Sequence, residues 1–497
     1  MELARLVGLV GRVRETPRKT EKVRLLADFL RLTEGLEREL AALYLSGTLR
    51  QGRIGLGWLT MQPAITAEPP AGEPPSLLDV DRAFEAIAAE QGPGSSERKV
   101  RILRGLLERV GGDARRFLAE LVMGELRQGA LEGLLLDAIA RAADLPAPAI
   151  RQAAMFSGSV GEVARVALSE GSAGLARFSL RVLSPVAPML ASTAASVEEA
   201  LERLGEAAFE YKLDGARIQV HKERVPEVVG WARGLAPREL VLEGETIALR
   251  PNGKPQPFQV TMRRLGRSKD VEAARQELPL SSFFFECLFL EGEGPLVALP
   301  YAERAERLAR TVPPESLVPR IVTRRPEEAR RFLEQSLQAG HEGLMAKSLT
   351  APYVAGQRGY HWLKLKSART LDLVVLAAEW GSGRRKGWLS NLHLGARDPE
   401  SGRFVMLGKT FKGLTDEMLR WQTEKLLSLA ERRDEWTVYV RPELVVEVAF
   451  SDVQESPRYP AGLALRFARV KHHRPDKAAH EADTIQAVSE IFRQQRA

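Results

Sequence analysis

The residues best suited to chemistry in this chain stand at Lys212-Leu213-Asp214-Gly215, with Arg217 two positions on. A lysine is a nucleophile only as the neutral amine. Free lysine titrates near about pH 10.4, so its surroundings must favour the uncharged form through burial or neighbouring cations. Lys364 and Lys366, two apart on a strand-like run and so on one face, could supply that positive field. Arg466, Arg469, Arg474 and Lys477 belong to a basic stretch, 457–477, with six Lys or Arg and a single acid. Each piece also has an ordinary reading. Most Lys-x-Asp-Gly strings are hairpins with a surface lysine, paired lysines can be a solvated strand edge, and a basic tail can be generic affinity for polyanions.

The elements that must position these residues can be read from periodicity. Around Lys212, apolar and polar residues alternate, break at Asp214-Gly215 and resume at Arg217, which predicts two short strands joined as a hairpin by a tight turn. Strand-like runs cover 207–211, 217–222, 240–249, 283–290 and 343–347, with helical patterns at 226–235, 302–311 and 327–339 between them. This is an α+β domain ending near Lys366. The region before it reads as almost entirely helical, with helices expected over 23–45, 78–90, 97–109, 114–126 and 131–143 and loops at 69–75 and 92–96. Gly129 and Gly158 lie in small-residue turns that lead into helices, where free N–H groups either receive caps or cradle phosphates. The segment 180–195, with Pro185 and Pro188, reads as an extended linker. After it and the α+β domain, strands are expected at 371–379, 389–397, 404–409, 438–440 and 444–450 around one helix at 416–432, a pattern that suits an OB-fold barrel.

Length and charge bound the rest. The 497 residues exceed one core and suggest about three domains. Seventy-two Lys and Arg against 65 Asp and Glu leave +7, compatible with a polyanionic partner. The single cysteine, Cys287, excludes an internal disulfide or a multi-cysteine zinc site, and its apolar surroundings predict a packing role. The charged N-terminus is no signal peptide and no apolar run is long enough to span a bilayer, so a soluble cytoplasmic protein with no membrane partner is expected. A G-x-x-x-x-G-K-[ST] phosphate loop is absent.

Lys212-Leu213-Asp214-Gly215 with Arg217 resembles the nucleophile motif of the covalent nucleotidyltransferases. Glu243-Gly244-Glu245, Phe285-Glu286, 342–347, 362–366 and 466–477 follow in that family's order. The likeness covers nearly the whole chain and is greatest to bacterial ATP-dependent DNA ligases with a helical DNA-binding domain. It implies a multidomain protein: an all-α DNA-binding domain over 1–178, an α+β nucleotidyltransferase domain over 179–368 and a C-terminal OB-fold β-barrel over 369–497. It implies ATP and Mg²⁺ as cofactors and nicked duplex DNA as partner of a monomeric enzyme serving repair, replication or recombination. Lys212 would carry AMP, with Lys364 and Lys366 assisting. Glu210, Arg217, Glu245, Phe285, Lys366, Arg466, Arg469, Arg474 and Lys477 would bind ATP, with Glu245 on the ribose and Phe285 on adenine. Glu342, with Glu243 second, would hold the metal, and Gly129, Gly158 and Arg358 would meet DNA. Lys347 would lie nearby without an assigned role. The alternatives are an RNA ligase or capping-type enzyme, which would lack the long helical region, and a nick-binding protein without catalysis. The last is raised by a departure after Lys222. A strand bearing a phenylalanine, a Ser or Thr and an arginine is expected there, and Glu223-Arg224-Val225-Pro226 leads straight into the next helix. A lone strand without its partner favours residues missing from the chain as written over a true deletion, which would put ligation in doubt.

Overall fold

The structure, a computed structural model, describes residues 1–57, 72–126, 132–220, 231–232, 234–267, 270–354, 358–366 and 369–496, with the side chains of Arg358 and Arg496 outside that description. Its first part is helical, with nine helices among the described residues between Leu3 and Leu175. Leucines at three- and four-residue spacing, such as Leu3, Leu6, Leu9, Leu26, Leu30 and Leu40, turn into one core shared with Tyr44, Phe84 and Ile139. The single helix expected over 23–45 is two, Lys19–Arg31 and Gly35–Ser46. The break has a local cause: Gly35 takes a left-handed φ of 52°. Buried Arg38 then donates to the carbonyls of Leu30 and Thr33, satisfying the end of the first helix. Helices Ala147–Ser157 and Val160–Leu175, which the sequence reading did not name, meet at Gly158. At Gly161 the last helix crosses Gly35–Ser46 so closely that a Cβ would lie 2.6 Å from Leu43 Cγ and 2.7 Å from the Glu39 carbonyl oxygen.

The central part holds two sheets. One has the order β1 (Leu190–Thr193), β9 (Arg358–Lys366), β8 (Gly343–Ser348), β2 (Ala207–Lys212), β7 (Arg320–Thr323). The other runs β3 (Ala216–Val220), β4 (Leu240–Ala248), β5 (Leu280–Leu290), β6 (Gly294–Pro295). The strands on either side of Asp214-Gly215 therefore do not form a hairpin: β2 pairs with β7 and β8, β3 with β4. The chain steps from one sheet to the other at Gly215, where a Cβ would come within 2.3 Å of Ile247 Cγ2 and 2.4 Å of the Thr246 oxygen. The expected linker 180–195 also belongs to this body. Gln219 accepts from the Val186 N–H (2.9 Å) and donates to its carbonyl (2.7 Å), and β1 then pairs parallel to β9. Buried Cys287 lies in β5, its thiol pushed up to about 12 by burial, as suits packing.

The last part is built on β10 (Arg369–Trp380), which pairs with β15 (Val445–Phe450) along its first half and with β11 (Leu389–Arg397) and β14 (Thr437–Val440) along its second. β12 (Phe404–Thr410), β13 (Ala430–Arg433) and β18 (Arg469–His473) complete seven strands, with β16 (Asp452–Glu455) and β17 (Leu463–Arg466) as a separate hairpin. The helix expected to reach residue 432 ends at Ser428, and its last residues form β13 instead. A C-terminal helix, Ile485–Arg496, was not anticipated.

Candidate active site

β2 delivers Lys212 to the point where the two central sheets meet. Its Nζ lies 2.6 Å from Glu342 Oε2, and Lys366 Nζ lies 2.8 Å from the same carboxylate. Glu342 is placed by the strand pairing itself, since its N–H donates to the Lys212 carbonyl at 3.1 Å just before β8. Burial pushes its carboxyl up, but the two lysines outweigh that and hold it below the usual carboxylate range. Glu342 thus gives both Lys212 and Lys366 an ion-pair partner.

Beside Lys212 a cleft of about 250 Å³ is lined by Glu210, Arg217, Glu245, Phe285, Lys347, Trp362 and Lys364, among others. Lys364 and Lys366 stand two apart on regularly paired β9 and share a face, as expected. Glu245, on β4, accepts from the Gly215 N–H at 3.0 Å. Burial lifts its carboxyl to about 7, against the pull of Lys212, that N–H and Arg217. Arg217 donates to the Met189 carbonyl (2.8 Å) and to Glu243 (2.7 Å). Glu243 is fully buried and also receives Tyr353 (2.9 Å) and Gln219 (2.9 Å), so both its oxygens are committed and it is placed as an anchor for Arg217 rather than as a metal ligand.

The floor of the cleft is an ionic knot. Lys347, 1 % exposed, pairs with Glu210 at 2.6 Å, donates to the Phe285 carbonyl at 3.0 Å and lies over the rings of Trp362, Phe285 and Tyr301. Burial lowers its pKa, opposed by Glu210. Tyr301 hydroxyl donates to the other Glu210 oxygen. Tyr301 and Tyr353 escaped sequence reasoning because each stands outside any motif, more than 80 residues from its carboxylate partner.

The last part of the chain reaches the same place. Arg466, at the end of β17, grips Asp214 with both guanidinium nitrogens, the second at 3.2 Å, and also Asp452 at 3.2 Å. Asp214, Glu342 and Asp452 bring carboxylate oxygens within 4.8 Å of one another. Arg474 and Lys477 instead bind Asp372 at 3.1 and 2.5 Å, within the C-terminal part, and Arg469 is exposed on β18. Gly158 is the left-handed C-cap of one helix, and Ser159 Oγ caps the next by accepting from the Glu162 N–H at 3.3 Å, the capping geometry. Gly129, the Arg358 side chain and the departure at 223–226 lie outside the described residues.

Residues 188–233 and 223–366 match a family model described as ATP dependent DNA ligase domain, 385–477 one described as ATP dependent DNA ligase C terminal region, and 60–140 one described as DNA ligase N terminus. The first match falls in two pieces that overlap at 223–233. A "Probable DNA ligase" of Anaeromyxobacter dehalogenans (strain 2CP-C) is 57% identical over 99% of this chain and 100% of its own length. One of Mycolicibacterium gilvum (strain PYR-GCK) is 48% identical over 99% of each. The solved structure "Pmar-Lig_PreS3" shares the fold with a TM-score of 0.63 at 15% identity, covering 94% of this chain and 99% of its own.

Proposed function

The chain belongs to the ATP-dependent DNA ligase family, and on that premise we propose that Lys212 is the residue that carries AMP. Its Nζ attacks the α-phosphorus of ATP, the bond to the β-phosphate breaks, and pyrophosphate leaves as the phosphoramidate forms. AMP then passes to the 5′-phosphate of a nick, and the 3′-hydroxyl displaces it to seal the strand. The observation that carries this reading is the convergence on one point of Lys212, Lys366, Glu342 and Asp214, the last gripped by Arg466 from 252 residues away. Glu210, Arg217, Glu245 and Phe285 form the nucleoside side of the site, with Lys364 close by. Lys366 and Arg466 offset charge on the transferring phosphate.

Glu342, Asp214 and Asp452 fit Mg²⁺ as a hard-oxygen donor set, and the ion would supply charge neutralisation at the phosphates. We further take 1–178 as the DNA-binding domain, 179–368 as the nucleotidyltransferase domain and 369–497 as an OB-type barrel that docks for the first step and swings aside to admit DNA. No helix of the described residues is long and apolar enough to cross a membrane.

Incubating the full chain with α-labelled ATP and Mg²⁺, followed by denaturing electrophoresis, tests the proposal. Wild type retains label and Lys212→Ala does not. Label on the alanine variant would move the nucleophile elsewhere.

A further inference from the structure

Two clefts flank the Lys212–Glu342 pair: the one that Lys212 lines and a larger one of about 430 Å³, lined by Glu342, between the central and C-terminal parts. Attack by Lys212 requires pyrophosphate to depart on the side of the α-phosphorus opposite Nζ. That leaving group is a polyanion and needs fixed cations. The expected ones, Arg474 and Lys477, are held on Asp372 and line neither cleft. The larger cleft, which begins at the carboxylate shared by Lys212 and Lys366, is instead lined by Arg250, Lys254, Lys366, Arg369 and Arg466. Their five charges exceed those of the three carboxylates facing them.

Two of these cations come from one preorganised turn after β4. Arg250 N–H donates to the Lys254 carbonyl at 2.8 Å and Gly253 N–H to the Arg250 carbonyl at 2.9 Å. Gly253 takes the left-handed φ of 79° that such a turn requires, and Asn252 Oδ1 accepts the Lys254 N–H at 3.1 Å. Arg250 also donates to the Gln495 carbonyl at 2.6 Å, so the turn is seated against the C-terminal helix. Arg369, the first residue of β10, enters the cleft from the C-terminal part. From this placement, and resting on the functional reading above, we propose that Arg250, Lys254 and Arg369 join Lys366 and Arg466 in holding the β- and γ-phosphates and the departing pyrophosphate. Docking of the two parts assembles the set.

The test uses the full chain carrying Arg250→Gln with Lys254→Gln, or Arg369→Gln, with Arg250→Lys and Arg369→Lys as conservative controls. Self-adenylation with ATP is expected to slow on the order of tenfold for each Gln variant, with partial recovery in the Lys controls. The reverse reaction, release of ATP from the adenylated enzyme by inorganic pyrophosphate, should show a raised KM for pyrophosphate. Sealing of a nick already bearing 5′-AMP involves no pyrophosphate and should stay within about twofold. Adenylation at the wild-type rate, or an equal loss in sealing the pre-adenylated nick, overturns the assignment. A wild-type chain that takes no label from ATP would instead remove the functional reading on which the assignment rests.

Discussion

Glu245 should make the wild-type protein less stable in the pH range where a ligase works, and Glu245→Gln should relieve that. Burial holds this carboxyl at about 7, whereas an unfolded glutamate titrates near about 4.3. A raised carboxyl stabilises the fold fully below the unfolded value, and that contribution is lost as pH rises toward the folded one. At about 1.36 kcal/mol per pH unit the total loss is about 3–4 kcal/mol, nearly all of it between about pH 4.3 and 7. Between pH 5 and pH 8 about 2–3 kcal/mol of it remains to be lost. A glutamine cannot ionise, yet its amide oxygen can still accept from the Gly215 N–H, so the variant escapes this loss. The stability of Glu245→Gln relative to wild type should therefore rise by about 2–3 kcal/mol from pH 5 to pH 8, whatever its starting offset. For a domain of about 150–250 residues each kcal/mol moves Tm by about 2–4 °C, so the gap in thermal unfolding should widen by roughly 4–12 °C. The same variant should adenylate poorly, because a carboxylate proposed to face the nucleoside is gone. A gap that stays constant or narrows as pH rises would refute the burial argument.

Two further outcomes follow from the same geometry. Arg304 and Glu286 form an ion pair with both side chains fully buried, at 2.9 Å, so Arg304→Met should cost about 3–5 kcal/mol in denaturant unfolding, most of it recovered when Glu286 is also made apolar; a loss under about 1 kcal/mol would contradict it. The full chain carrying Lys212→Ala should bind nicked duplex without sequence preference, its log affinity falling linearly with log salt by about 0.9 per phosphate neutralised. Salt-insensitive binding, or strong preference for one of two unrelated duplexes in an anisotropy titration, would show that backbone contacts at turns such as that of Gly158 do not dominate.

What the sequence could and could not reveal divides along the range of the forces involved. Lys212, Glu342 and Lys366 were legible because strand periodicity and motif order put each at a strand end, and the ladder between β2, β8 and β9 then has to bring them together. The step at Gly215 was misread as a hairpin because Asp-Gly is a good local turn signal. What decides the path is the missing Cβ against Ile247 and Thr246, a contact with another strand that periodicity does not report. The basic stretch near the C-terminus shows the same limit more sharply. Arg466, Arg469, Arg474 and Lys477 look alike as text, but Phe467 turns with a φ of 56° between β17 and β18 and sends them apart. Arg466 stays on the hairpin that faces Asp214, while Arg474 and Lys477 follow β18 back to Asp372 on β10. The family resemblance gives all four the phosphates; the direction of a single turn leaves one of them, Arg466, in the cleft that Arg250, Lys254 and Arg369 also line.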